Sequence, residues 1–281
     1  VQRKLRESWH ADRIEEPKTA WRGERLEPAA TFRPRRCLEI SGMKRCEIEV
    51  DLAVDDSVSI VLNGECVAVL AVLPVQLKEM AVGFLIGEGL VECFEDIASV
   101  REEFGAVICQ TREGRAGTWK GHRCCSVGAS TGIDPNPISS ELKMRAGAIL
   151  NAVDQLNSQA KLWRRTGATH TSMICGSEGE VLVSCEDVSR SSSVDKAMGA
   201  ALLAGVAPSQ CALITSGRLS GVIVAKAARA GLPILVSRSA PMNSGVELAQ
   251  KIGMTLVGFA RSPNLYIYSG GQRIISSGRS M

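Results

Sequence analysis

Apolar and polar positions begin to alternate at Cys46. The stretch CEIEVDLAV (46–54) reads as a half-buried strand, and VSIVL (58–62) and CVAVLAV (66–72) flank Asn63-Gly64. Both residues of that pair tolerate φ > 0, as a two-residue type I′ turn requires, so the two runs predict a hairpin. The next stretch, QLKEMAVGFLIGEG (76–89), changes period and gathers Leu77, Met80, Ala81, Phe84 and Leu85 on one helical face. Two more strands are expected within 97–110. Residues 46–136 therefore read as a β-rich domain whose last part, 111–136, is a Gly-rich loop without a regular period.

Beyond the loop, Pro137 with Ser139 or Ser140 can start a helix reaching about Ala160. THTSMIC (169–175) and VLVSCE (181–186) then flank Ser177-Glu178-Gly179 as a second hairpin. From there the pattern alternates: a helix in 193–205, the strand CALIT (211–215), a helix in 219–231, the strand PILVS (233–237), a helix in 243–253, the strand MTLVGFA (254–260), and a last pair in NLYIY (264–268) and QRII (272–275). Strands separated by helices of this length predict an α/β domain over 137–281 with a mostly parallel sheet covered on both faces. Residues 1–45 mix Arg, Glu and Pro without sustained period and read as a poorly ordered extension.

Charge sharpens this division. Residues 1–45 carry 12 Lys/Arg against 7 Asp/Glu, whereas the remaining residues carry 21 against 23, which with the first segment gives the net +3. A nearly neutral folded part argues against a nucleic-acid groove. No apolar run is long enough to span a bilayer, and residues 1–36 lack the apolar core of a secretory signal, so a cytoplasmic protein is expected. Ten Cys are scattered, many at apolar positions such as Cys109, Cys175 and Cys211, without one C-x-x-C pair; with three His they give poor support to a zinc site.

In open α/β sheets the ligand crevice lies outside the carboxyl ends of the strands, so the polar residues just after each apolar run are informative. Arg190, Arg218, Arg238 and Arg261 follow four successive strands. Any one alone is most simply a surface charge. Four at corresponding positions point to a phosphorylated or nucleotide-bearing ligand, because the guanidinium fork matches phosphate oxygens. Asp187 and Asp195 can read base amino groups or cap helices, and an ion pair with a neighbouring lysine is an equal alternative for Asp195. Cys124 and Cys125, beside His122 and Arg123, stand where a thiol is made nucleophilic by nearby positive charge; an incidental cysteine pair is the competing reading. His170, at the start of a strand, reads from the residues alone as a hydrogen-bonded structural group.

At these residues the chain resembles the formate dehydrogenase accessory sulfurtransferase (FdhD) family over about 46–275. The motifs are Gly83-Phe84-Leu85-Ile86-Gly87-Glu88-Gly89, Thr166 to His170, Glu186-Asp187-Val188 with Arg190 and Val194-Asp195-Lys196, Ser216-Gly217-Arg218, Ser237 to Pro241, and Leu256 to Arg261. The resemblance implies a C-terminal three-layer α/β/α domain like the cytidine deaminase fold, with a smaller β-rich N-terminal domain, in a homodimer. It also implies a persulfide on Cys125, with Cys124 next to it, that carries sulfur from a cysteine desulfurase to the bis-molybdopterin guanine dinucleotide cofactor of formate dehydrogenase. Phe259, Ala260, Arg261, Ser262, Pro263, Asn264, His170, Asp187, Arg190, Asp195, Arg218 and Ser239 would hold that cofactor, without an intrinsic metal. Gly128 occupies the place of the family's second loop cysteine, and Ser191 that of a histidine. A cofactor-binding chaperone without sulfur chemistry is the alternative; a zinc nucleoside deaminase lacks its H-x-E and P-C-x-x-C motifs here.

Overall fold

The computed structural model describes residues 31–112 and 135–276. Its first element corrects the sequence reading. Residues 32–45, expected within a poorly ordered extension, belong to an antiparallel ribbon of β1 (Phe32–Ser41) and β2 (Lys44–Ala53), paired from Phe32↔Ala53 to Ser41↔Lys44. Both faces of the ribbon are largely exposed, so no apolar period is needed to specify it, and Pro34 is tolerated because half the N–H groups of a two-stranded ribbon face outward. Arg165 fastens its base, through Nε to Asp51 Oδ2 at 2.7 Å and by lying 3.6 Å over the Phe32 ring.

The next strands form a four-stranded sheet in the order β4-β3-β6-β5, from β3 (Asp56–Leu62), β4 (Glu65–Val72), β5 (Ile97–Glu103) and β6 (Ala106–Thr111). The turn at Asn63-Gly64 has φ of 50° and 87°, as the pair predicts. The Asn63 side chain adds bonds to Thr111, donating to Oγ1 and accepting from the backbone N–H, both at 2.9 Å. Helix α1 (Leu77–Gly87) is buried along its length from Met80 onward.

The helix expected from Pro137 begins nine residues later. Helix α2 spans Ala146–Gln159 and the short α3 spans Lys161–Thr166. The run before α2 instead finds backbone partners near the C-terminus. Ile138 N–H bonds Ile252 O at 2.8 Å, buried Arg273 donates to Ser140 O at 3.1 Å, and β7 (Met144–Arg145) pairs with β14 (Ile274–Ile275).

The main sheet contains β8 (His170–Cys175), β9 (Val181–Asp187), β10 (Ala212–Thr215), β11 (Ile234–Ser237), β12 (Thr255–Arg261) and β13 (Asn264–Ser269), in the order β13-β12-β11-β10-β8-β9. Only the β10–β11 and β11–β12 pairings are parallel, so the sheet is mixed rather than mostly parallel. The physical reason is local: the hairpins β8–β9 and β12–β13 must pair antiparallel, and helical crossovers through α5 (Gly221–Arg229) and α6 (Asn243–Ile252) join only the central strands. The three layers are as expected. Met173, Ala212, Ile214, Val236 and Val257 pack under α2, while Ile174, Leu213, Leu235 and Leu256 face α4 (Arg190–Leu203), α5 and α6.

That second face is continuous with the β-rich half, since Val58, Ile60, Met80, Phe84 and Val107 belong to the same cluster. Helices α1 and α4 cross at two glycines. A Cβ on Gly83 would stand 1.9 Å from Asp195 O, and one on Gly199 would stand 1.8 Å from Glu79 O, so the two backbones touch. Two buried lysines reinforce the joint. Lys196 Nζ meets Asp187 Oδ2 at 2.7 Å and donates to Leu73 O at 2.8 Å; Lys226 Nζ meets Asp195 and Glu88, each at 2.8 Å. No helix among the described residues is long and apolar enough to cross a membrane.

Candidate functional site

Strands β9, β10, β11 and β12 run in one direction and β8 runs against them, so four carboxyl ends and the start of β8 share one edge. Short polar side chains order the loops there. The Ser237 hydroxyl donates to Gly217 O at 2.6 Å and accepts from Ser239 N at 2.9 Å. Beneath them Ser172, Ser193 and Thr215 form a buried chain of hydroxyls at 2.9 and 3.0 Å, whose ends reach Arg190 O and Gly217 N. The loops approach closely at Gly217, where a Cβ would lie 3.0 Å from the Arg190 Cβ and would need that side chain to give by a few tenths of an ångström. Each loop of the edge is thus fixed by the strand below it.

The four arginines all occur at this edge, in two pairs of different character. Arg261 donates from Nε to Arg238 O at 3.2 Å, and Arg238 bonds Asn157. Burial and the neighbouring Arg261 charge pull the Arg238 guanidinium below its usual range, while Asp154 opposes them. Two crowded cations of this kind favour an anionic guest. Arg190 is partly buried next to Gly217, at the N-terminus of α4, where Ser189 Oγ accepts from Ser192 N at 3.4 Å; Arg218 is exposed.

An open groove of about 500 Å³ lies at the outer end, lined by Phe259, Arg261, Ser262, Asn264, Tyr266 and Tyr268. Phe259 adopts φ 47° and meets Tyr266 edge to face, with ring centroids 6.2 Å apart. Ser262 Oγ donates to Asp154 Oδ2 at 2.7 Å, Pro263 is exposed in the turn, and Ala260 points into the core. Ser239 O accepts from Phe259 N at 3.0 Å, joining its loop to the groove. Tyr266 and Tyr268 were missed by sequence reasoning. Their alternation with Leu265 and Ile267 was the available signal, since it puts both on one face of β13 with Asn264.

The two aspartates do not join the edge as ligand contacts. Asp187 is fully buried, with one oxygen engaged by Lys196 and Leu73 N and the other by Ser189 N at 2.8 Å. Asp195 is buried between α4 and α5 against Lys226, the ion-pair alternative, though its lysine comes from another helix. Glu186 of the same motif binds Leu162 N, Trp163 N and Thr169 Oγ1, which caps α3. His170 does stand at the edge, 3.2 Å from Ser216 Oγ.

Cys124 and Cys125 lie outside the described residues. Among the described thiols, burial pushes Cys109 and Cys211 up to about 11 and Cys185 up to about 12, and raises Cys175 as well. Those four are core residues unsuited to thiolate chemistry, while Cys37, Cys46, Cys66 and Cys93 are exposed.

Fold and edge together define a three-layer α/β protein whose strand ends gather four arginines on one edge. The sequence profile of the FdhD/NarQ family matches residues 53–275, and the chain belongs to that family. It is 34% identical over 226 residues to the sulfur carrier protein FdhD of Methanothermobacter thermautotrophicus, covering 79% of this chain and 90% of the relative. The sulfur carrier protein FdhD of Bordetella bronchiseptica is 32% identical, over 79% of this chain and 87% of its own length. A crystal structure assigned as a formate dehydrogenase accessory protein of Desulfotalea psychrophila superposes with a TM-score of 0.74 at 26% identity, covering 87% of this chain and all of that one.

Proposed function

We propose that this chain is a sulfur carrier for formate dehydrogenase maturation, which takes sulfane sulfur from a cysteine desulfurase and delivers it to a bis-molybdopterin guanine dinucleotide. The observation that carries the reading is the arginine-lined edge with its aromatic groove, in a chain whose relatives are sulfur carriers. Arg261 and Arg238 would hold the phosphates of a guanosine end, and Phe259 with Tyr266 would flank its base. The carrying thiol is Cys125: its thiolate attacks the terminal sulfur of the desulfurase persulfide, forming a new S–S bond and releasing the desulfurase thiolate. Delivery of that sulfur as sulfide uses two further electrons, supplied by a thiol reductant. Resemblance to the family also leads us to propose a cytoplasmic homodimer.

Intact mass after incubation with a cysteine desulfurase and cysteine tests the chemistry. Wild type gains one sulfur atom, removed again by a thiol reductant, and Cys125→Ser gains none. If Cys124→Ser is the variant that stays bare, the carrying thiol is one residue earlier. Gly128, in place of a second loop cysteine, favours the reading without sulfur chemistry; that reading predicts an unchanged mass with nucleotide binding intact.

The edge is tested separately. Arg261→Ala is expected to weaken guanosine diphosphate binding roughly ten- to a hundredfold, the worth of about 1.5–3 kcal/mol for a charge-assisted bond. Its urea midpoint should stay near wild type, because the side chain is exposed. Unchanged affinity in calorimetric titration removes Arg261 from the site.

A further inference from the structure

His170 presents a hydrogen-bonding problem with one economical solution. Its Nδ1 lies 3.2 Å from Ser216 Oγ, and the same oxygen accepts the N–H of Thr171 at 3.1 Å. If Nδ1 carried the ring proton, Ser216 would accept two bonds and its own hydrogen would find no acceptor among the described residues. If Ser216 donates to a bare Nδ1, the hydroxyl hydrogen is paired within the protein, and the ring proton resides on Nε2. Nε2 itself has no partner among the described residues, and no buried side-chain nitrogen or oxygen there lacks one. The free nitrogen therefore opens to solvent at the edge.

The surroundings disfavour the imidazolium. Burial and the Arg190 guanidinium hold His170 below its usual range. The opposing charge is Asp187, which pairs with His170 across β8 and β9 but whose oxygens are engaged by Lys196 and backbone N–H groups. A neutral ring beside an arginine offers a directional donor next to a cation. Both face the same end of the sheet.

We infer that His170 is a neutral hydrogen-bond donor of the crevice, offering Nε2–H beside Arg190 to a phosphoryl oxygen of the ligand, with Ser216 as the positioning residue that fixes its tautomer. The inference rests on the proposed binding of a phosphorylated ligand at this edge. It adds a second contact region to the Arg238–Arg261 groove. By strand spacing, β8 and β12 are separated by three steps of about 4.8 Å, or roughly 14 Å, so His170 would meet a different part of an extended ligand than Arg261 does.

The test titrates the full chain calorimetrically with guanosine diphosphate and with inorganic pyrophosphate. His170→Ala is expected to weaken both about tenfold, whereas His170→Gln, whose amide Nε2 stands where the imidazole Nε2 stands, stays within about twofold of wild type. Nitrogen-correlated spectra of histidine-labelled protein, assigned by loss of the signal in His170→Gln, should show the Nε2–H tautomer near neutral pH and a mixture in Ser216→Ala. Affinity for pyrophosphate should be flat from about pH 6 to about pH 8 once ligand ionisation is subtracted. An Nδ1–H tautomer, equal losses in the alanine and glutamine variants, or affinity that falls as pH rises through the histidine range overturns the inference. Loss for guanosine diphosphate but not for pyrophosphate overturns the phosphoryl assignment in favour of a base contact. Wild type that binds neither ligand refutes the edge reading and this inference together. Binding unaffected by His170→Ala refutes only the latter, and the wild-type spectrum decides the tautomer even if a variant fails to fold.

Discussion

Gly199→Ala is expected to remove roughly 3–5 kcal/mol of stability, a large part of what a domain of ordinary stability has. The added carbon would stand 1.8 Å from Glu79 O, an oxygen that is backbone and cannot swing aside. Relief requires α1 and α4 to separate, and Val194, Ala197, Met198, Ala81, Phe84 and Leu85 pack in the core they share. Gly83→Ala should behave alike, since its carbon would meet Asp195 O from the opposite helix. Gly147→Ala is the control. That residue is also helical but has no atom near its added carbon, so it should be neutral or slightly stabilising. Urea midpoints of the three variants check the prediction; near-wild-type stability for Gly199→Ala would mean that the helices do not touch.

Lys226→Met should cost about 3–5 kcal/mol near neutral pH, because it leaves Asp195 and Glu88 buried without a counter-charge. The loss should depend on pH in a defined direction. Burial pushes the Asp195 carboxyl from 3.8 up to about 6 even with Lys226 beside it, which opposes the shift. A carboxyl whose folded value is raised contributes stability that is present below its unfolded value and is lost as pH rises through the folded one. Without the lysine Asp195 loses the charge that opposes its shift and rises further, so its share of the penalty is small near pH 4, where it is largely protonated, and grows toward neutrality. Urea unfolding at about pH 4.5 and about pH 7.5 measures the difference. A penalty that is equal at both pH values, or larger in acid, contradicts the assignment. Replacing all three residues with apolar ones should cost less than removing the lysine alone, as no charge is then stranded.

These two features explain what the sequence could and could not disclose. Elements with one wet and one dry face were legible: the Asn63-Gly64 hairpin, the β8–β9 hairpin and helix α6 follow their periods. The β1–β2 ribbon is largely wet on both faces; β2 alternates from Cys46 and was legible, whereas β1, FRPRRCLEIS, carries no apolar rhythm and was not. Strand direction was misjudged because direction depends on which connections are hairpins, and the hairpins β8–β9 and β12–β13 set antiparallel pairs at both ends of the sheet. At the strand ends, the position of residues after a strand was enough to place Arg190, Arg218, Arg238 and Arg261 on one edge. It was not enough for Asp187 and Asp195. An acidic residue in such a motif looks the same whether it faces a ligand or a buried lysine, and the Lys226 partner lies 31 residues beyond Asp195.

The continuous core also makes a statement about cooperativity. Since Ile60 of the β-rich half and Leu213 of the α/β half are immersed in the same apolar interior, neither half has a complete inside of its own. In native-state hydrogen exchange, amides of β3 and of β10 should therefore open with the same free energy, as one foldon and not two. A fragment beginning near residue 137 would lose the cover over α4 and α5 and present a greasy surface to water, inviting aggregation. The segment proposed to carry sulfur connects, along the chain, two parts of a single cooperative body. Its anchors at Arg112 and Asn136 thus keep a fixed separation for as long as the protein stays folded.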